Sequence, residues 1–152
     1  MRQRLDKLLK DISVALLTEI SPSLKNEYAS SNVNLMGYML LNIANEYDCA
    51  AEIRVDENNK MRRIFSDSIR LVDDEDLKER LLTAANSEDQ SLKISSLDEA
   101  NNQLKALLIE LQAYLEKKNS VECIEQANKI WEFLEDSASR LREVFPGIHP
   151  VQ

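Results

Sequence analysis

Apolar residues recur along this chain at three- and four-residue steps, the spacing that gathers them on one side of an α-helix. In the first segment Leu5, Leu8, Leu9, Ile12, Leu16 and Ile20 make such a stripe. Ser21-Pro22 is expected to end that helix, because the residue before a proline is pushed out of the α region. Leu24 and Tyr28 then pack in the connection. The second stripe is the most regular, running through Val33, Met36, Leu40, Ile43, Tyr47 and Ala50, with Met39 and Ala44 widening it. Ser30, Ser31 and Asn32 compete as its N-cap. Residues 53–72 continue through Ile53, Met61, Ile64, Phe65, Ile69 and Val72. The polar run Asp56-Glu57-Asn58-Asn59 reads as a break, so two helices are expected here.

Asp73 or Asp74 caps a short acidic helix carrying Leu77, Leu81, Leu82 and Ala85. The polar, serine-rich stretch 86–96 reads as a mobile loop. Ser96 with Glu99 is a capping-box pair ahead of Leu97, Ala100, Leu104, Leu107, Leu108, Leu111 and Tyr114. Asn119 with Glu122 opens the last helix, whose stripe is Val121, Ile124, Ala127, Trp131, Leu134, Ala138, Leu141 and Phe145. Pro146-Gly147 closes it. No segment shows strand-like alternation. The expected fold is all-α, a single-domain antiparallel helical bundle of four long helices plus one or two short inserted helices. The bundle is expected over 1–145, with a C-terminal tail at 146–152.

Composition narrows the picture further. Two glycines and three prolines among 152 residues leave no material for turn-rich β folds or phosphate-cradling glycine loops. Nineteen basic against 27 acidic residues give a net charge of −8, poorly suited to a nucleic-acid surface. Residues 73–96 carry half of that charge, with seven acids and three bases. No apolar run approaches the roughly 18–20 residues that span a bilayer, so no membrane partner is expected. Cys49 and Cys123 lie far apart behind a charged N-terminus, which reads as a cytoplasmic protein with reduced thiols.

Chemistry is scarce. The single histidine, His149, sits in the tail, so neither a catalytic triad nor a di-iron pair of Glu-x-x-His motifs can be assembled. Two cysteines cannot complete a structural zinc site. No catalytic residue, metal site or cofactor is assigned. Glu46 or Glu52 is the base an enzyme would use, but no second catalytic group is recognisable. Asn32, Asn42, Asn45, Asn101 and Asn128 lie in or beside helices, and a polar network between helices is one reading of them; surface placement is the other. Gly37 interrupts a good helix at about 1 kcal/mol relative to Ala. A close helix crossing explains such a glycine; a ligand touching the backbone is the alternative.

Two short patterns resemble an uncharacterised family of small bacterial helical proteins. The first is Leu-Leu-x₆-Leu-x-x-Glu-Ile-x-Pro-x-Leu from Leu8, and the second is Met-Gly-Tyr-Met-Leu-x-x-x-Ala-x-Glu from Met36. Members of that family are often encoded beside aminoglycoside-phosphotransferase-like and acyl-CoA dehydrogenase-like proteins. The resemblance covers the first third of the chain, transfers no residue role, and implies at most an accessory protein near acyl-group metabolism.

The main stripes are expected to face the core, while Val14, Leu17, Tyr38 and Leu41 fall off them. Helices apolar on more than one face are central or covered by a partner. These four residues therefore mark an expected association surface for a protein partner or for a second copy. The first functional expectation is a non-enzymatic interaction or accessory module, oligomeric through apolar helix faces. The alternative is a carrier holding an apolar or acyl molecule near Gly37, Tyr38, Tyr47 and Trp131.

Overall fold

The computed structural model describes the backbone of residues 4–144 and the side chains of residues 4–140. Phe145, the Pro146-Gly147 stop, His149 and the 146–152 tail lie outside the described residues, as does the side chain of Leu141. The fold is all-α. Helix α1 (Leu5–Ala15) leads through a π turn (Leu16–Ile20) into the single turn α2 (Ser21–Ser23). Next come α3 (Glu27–Ser68), a 3₁₀ turn (Ile69–Leu71), α4 (Glu75–Ala85), α5 (Ile94–Lys118) and α6 (Val121–Val144). Two compact units divide these elements: one holds the residues up to Ala50 together with the end of α6 from Arg142, the other spans Ala51–Leu141.

The first unit is an antiparallel hairpin of α1–α2 against the N-terminal half of α3. Its helix does not stop at Ser21, because Pro22 is accommodated within the closing turn. The π turn prepares that turn: the Ser21 N–H donates to the Leu16 carbonyl, five residues back rather than four. Asn26, not Ser30, Ser31 or Asn32, starts α3, its side-chain oxygen accepting from the Ala29 N–H at 3.1 Å. Tyr28 and Leu24 are exposed rather than packed in the connection.

The second unit has the conventional core. Met61 and Phe65 of α3, Val72 of the connection, Leu77 and Leu81 of α4, Leu104, Leu108, Leu111 and Leu115 of α5, and Cys123, Ala127, Ile130 and Phe133 of α6 form one buried cluster. Asp74 caps α4, accepting from the Leu77 N–H at 2.9 Å. The expected capping boxes are not used. Helix α5 starts before Ser96, at Ile94 with Lys93 as N-cap. Asn119 adopts the left-handed conformation (φ 50°) that ends α5, a role Asn fills because its short polar side chain tolerates that region. Ser120 takes over as the cap of α6, accepting from the Cys123 N–H at 3.3 Å. Cys123 and Cys49 are free thiols, the first buried and the second half-buried.

The largest departure from the pattern lies at Asp56-Glu57-Asn58-Asn59. No break occurs there; α3 runs through it for 42 residues. The polar side chains are held by neighbouring helices, so the helix interior loses nothing by carrying them.

Candidate functional site

Two features stand out, one in each unit. In the hairpin, the side facing the partner helix is built from small or polar residues. Asp6, Ser13 and Ser21 on one arm of the helical hairpin and Gly37 and Ala44 on the other are buried, while most large apolar side chains are not. Ser30, Gly37 and Ala44 recur every seven residues and so return to one line of α3. Opposite them, Asp6 and Ser13 are seven apart, but the next step to Ser21 is eight. The extra residue is the one the π turn absorbs, and without it Ile20 rather than Ser21 would face α3.

Hydrogen bonds close this seam. Ser13 Oγ donates to the Gly37 carbonyl at 2.8 Å. Ser21 and Ser30 share a hydroxyl contact at 2.8 Å, and Ser30 Oγ lies 3.1 Å from the Ser21 carbonyl. Gly37 is explained by the crossing: a Cβ there would stand 2.7 Å from Leu17 Cγ and 2.8 Å from Cδ2.

The main apolar stripes consequently point outward. Leu5, Leu8 and Ile12 of α1 and Met36, Met39, Ile43 and Tyr47 of α3 are between 38% and 56% exposed. They lie on one side of the hairpin. In an antiparallel pair of right-handed helices, equal rotations from the seam reach the same side. Ile12 stands roughly 100° from Ser13 in the same sense as Met36 does from Gly37. Val14 and Tyr38, each one residue further on, rotate to the opposite side and are 55% and 59% exposed. Leu17 and Leu41 are half-buried beside the seam. The four expected association residues thus border the less apolar side, and the stripes expected in the core form the larger exposed face. The physical reason is that small seam residues draw the helices together too closely for large side chains to fit between them.

Tyr47 belongs to that exposed face, and Tyr38 to the side opposite. Trp131, the fourth residue of the carrier reading, lies on α6 in the second unit and is 56% exposed.

The second feature is a buried polar network in the second unit. Glu57 Oε2 accepts from Asn101 Nδ2 at 3.1 Å and from Lys105 Nζ at 3.3 Å, and its other oxygen accepts from the Ser137 hydroxyl. Asn101 Nδ2 also donates to Asn58 Oδ1 at 2.9 Å. Asn58 Nδ2 reaches Asp89 Oδ1 at 3.0 Å, and Arg62 grips the same oxygen at 2.6 Å while donating to Ser87 Oγ at 3.1 Å. One chain of contacts thus links α3, the 86–93 connection, α5 and α6. Among the described residues no buried side-chain polar atom lacks a partner. The 86–96 stretch, expected to be mobile, is therefore pinned at Ser87 and Asp89.

Burial by itself would push the Glu57 carboxyl up. The Ser137 and Asn101 hydrogen bonds and the Lys105 charge outweigh it and hold the group below the ordinary glutamate value. Asp89 behaves likewise: burial raises it, but Arg62 and Asn58 leave it lowered. A depressed folded pKa means stability that is complete above the ordinary carboxylate range and lost as pH falls through the folded values. The urea midpoint should therefore stay level from neutral pH to about pH 5 and fall steeply below about pH 4. Glu57→Gln should flatten part of that fall; an unchanged acid limb would show that Glu57 does not contribute.

Glu57 is held ionised with its oxygens occupied, which suits a structural tie rather than proton transfer. Glu46 is half-buried and Glu52 exposed. Among the described residues no group of three His, Cys, Asp or Glu side chains is arranged to hold a metal ion. A groove of about 800 Å³ runs between α4 and α5, with Leu104 and Leu107 beneath Asp76, Glu79, Arg80 and Glu99. Its Arg80 is already paired with Asp76 and Glu110. No helix among the described residues is long and apolar enough to cross a membrane. No protein-family model, curated protein or solved structure matches the chain.

Proposed function

We propose that this chain is a protein-interaction or accessory module that acts through the exposed apolar face of the α1–α3 hairpin. The observation that carries this reading is the continuous stripe from Leu5 to Ile12 and from Met36 to Tyr47, left in water while small and polar residues occupy the seam. A helical layer with one apolar face is stable when that face is covered by a second layer. Exposed apolar patches of several hundred Å² on soluble proteins mark such contacts. The second unit serves as the rigid body, its helices tied through Glu57, Asn58 and Asn101. Its acidic 73–96 stretch, seven acids against three bases, disfavours acidic partners.

Position 43 provides the test. With p-benzoylphenylalanine in place of Ile43, ultraviolet irradiation in cells should give a covalent protein adduct, identified by mass. The same probe at Glu79, on α4, should give far less. Equal or absent cross-linking at Ile43 would refute the interaction reading.

A further inference from the structure

We infer that the partner covering this face is a second copy of the chain, so that two hairpins stack face to face as a four-helix, two-layer dimer. The inference rests on the interaction reading above and adds its occupant.

Area is the first argument. Seven large apolar side chains, each about half exposed and each presenting on the order of 200 Å² when free, offer roughly 600–700 Å² on one face, near the ~800 Å² per partner of a standard stable interface. Charge is the second. Residues 1–50 hold five bases and six acids, whereas the whole chain carries −8. The hairpin is thus the near-neutral part of an acidic protein, and two copies can meet there without bringing like charge together. A partner chosen by charge finds no field of one sign on that face.

Shape is the third. The α1 and α3 stripes run alongside each other along the hairpin, and a two-fold mate presents stripes of the same length and spacing. Such an isologous contact is self-complementary and closes at two copies. Ile12 and Met39 lie level with one another near the middle of the face, where each comes closest to its own counterpart. The unbranched Met36 and Met39 side chains adapt to whatever gaps the opposing layer leaves.

Sedimentation equilibrium and light scattering on the full chain, over low to high micromolar concentration, decide the matter. The expected result is a dimer whose dissociation constant rises at least about 100-fold in Met39→Glu and in Ile43→Asp. Val14→Asp, on the opposite side, should change it less than about threefold. Far-UV circular dichroism should be unchanged in all three, since each position is about half exposed. If either face variant loses helicity, Met36→Lys reads the same contact. A strict monomer at high micromolar concentration overturns the inference, and so does a dimer indifferent to all face variants. A monomer that still cross-links through position 43 to another protein overturns the second copy alone. A monomer with no cross-link overturns the interaction reading as well.

Discussion

Replacing Arg62 with Met is expected to destabilise the protein by about 3 kcal/mol. Arg62 and Asp89 meet at 2.6 Å with side chains only 8% and 9% exposed. Methionine keeps the aliphatic bulk of the arginine, so the substitution removes charge and hydrogen bonds while leaving little cavity. What remains is a buried carboxylate with Asn58 as its partner. Two responses are open to it. Asp89 can stay buried at a cost of several kcal/mol, or the 86–93 connection, no longer held by Arg62, can peel away and rehydrate it, giving up the Asn58 hydrogen bond instead. The second is cheaper, which sets the estimate at the low end of the 3–5 kcal/mol range for breaking a buried pair. Urea denaturation measures the loss, and hydrogen exchange at residues 86–93 reports the peeling. The double variant Arg62→Met/Asp89→Leu should return to within about 1 kcal/mol of the parent, because it leaves no orphaned charge. A single-variant loss under about 0.5 kcal/mol would show that the pair is dispensable.

The helices were legible because apolar periodicity is a local signal: the stripes from Leu5, Val33, Leu97 and Val121 each coincide with a helix in the structure. Caps were less so. Ser96-x-x-Glu99 has the composition of a capping box, but Leu97 is fully buried and α5 extends a turn further back to Ile94. The run Asp56-Glu57-Asn58-Asn59 has the look of a break for a different reason. Its polarity is compensated by Asn101, Lys105, Ser137 and Asp89, which lie 31–80 residues away along the chain. No window of local sequence contains those partners. Asn101 offered the one usable hint, an asparagine beside an otherwise leucine-rich stripe. The direction in which the hairpin stripes point was hidden as well. Hydrophobicity identifies a stripe, whereas the seam of the hairpin is set by side-chain size. Ser30, Gly37 and Ala44 at seven-residue spacing were the signal, visible in the sequence and outweighed by the apolar pattern beside them.

Gly37→Val should destabilise the hairpin by about 2–3 kcal/mol, and Leu17→Ala in the same chain should recover more than half of that. Removing glycine from a helix interior ordinarily helps, by up to about 1 kcal/mol for alanine and less for β-branched valine. Here the gain meets a steric conflict, because the added Cβ alone stands 2.7 Å from Leu17 Cγ. That atom is the branch point of the side chain and cannot swing aside as a terminal methyl can. Either Leu17 leaves its rotamer or the helices separate. Separation is the costlier response, since it stretches the 2.8 Å bond from Ser13 Oγ to the Gly37 carbonyl and the Ser21–Ser30 contact. Leu17→Ala alone loses about 1–2 kcal/mol, less than a fully buried leucine, because Leu17 is only half-buried. Combined, the two changes exchange bulk across the seam. Their interaction energy should therefore be large and favourable, on the order of 2 kcal/mol. Additive losses would place the constraint on Gly37 elsewhere. Gly37→Ala makes the finer distinction: a net loss despite its better helix propensity means that the closeness of the seam, rather than backbone preference, selects glycine at this position.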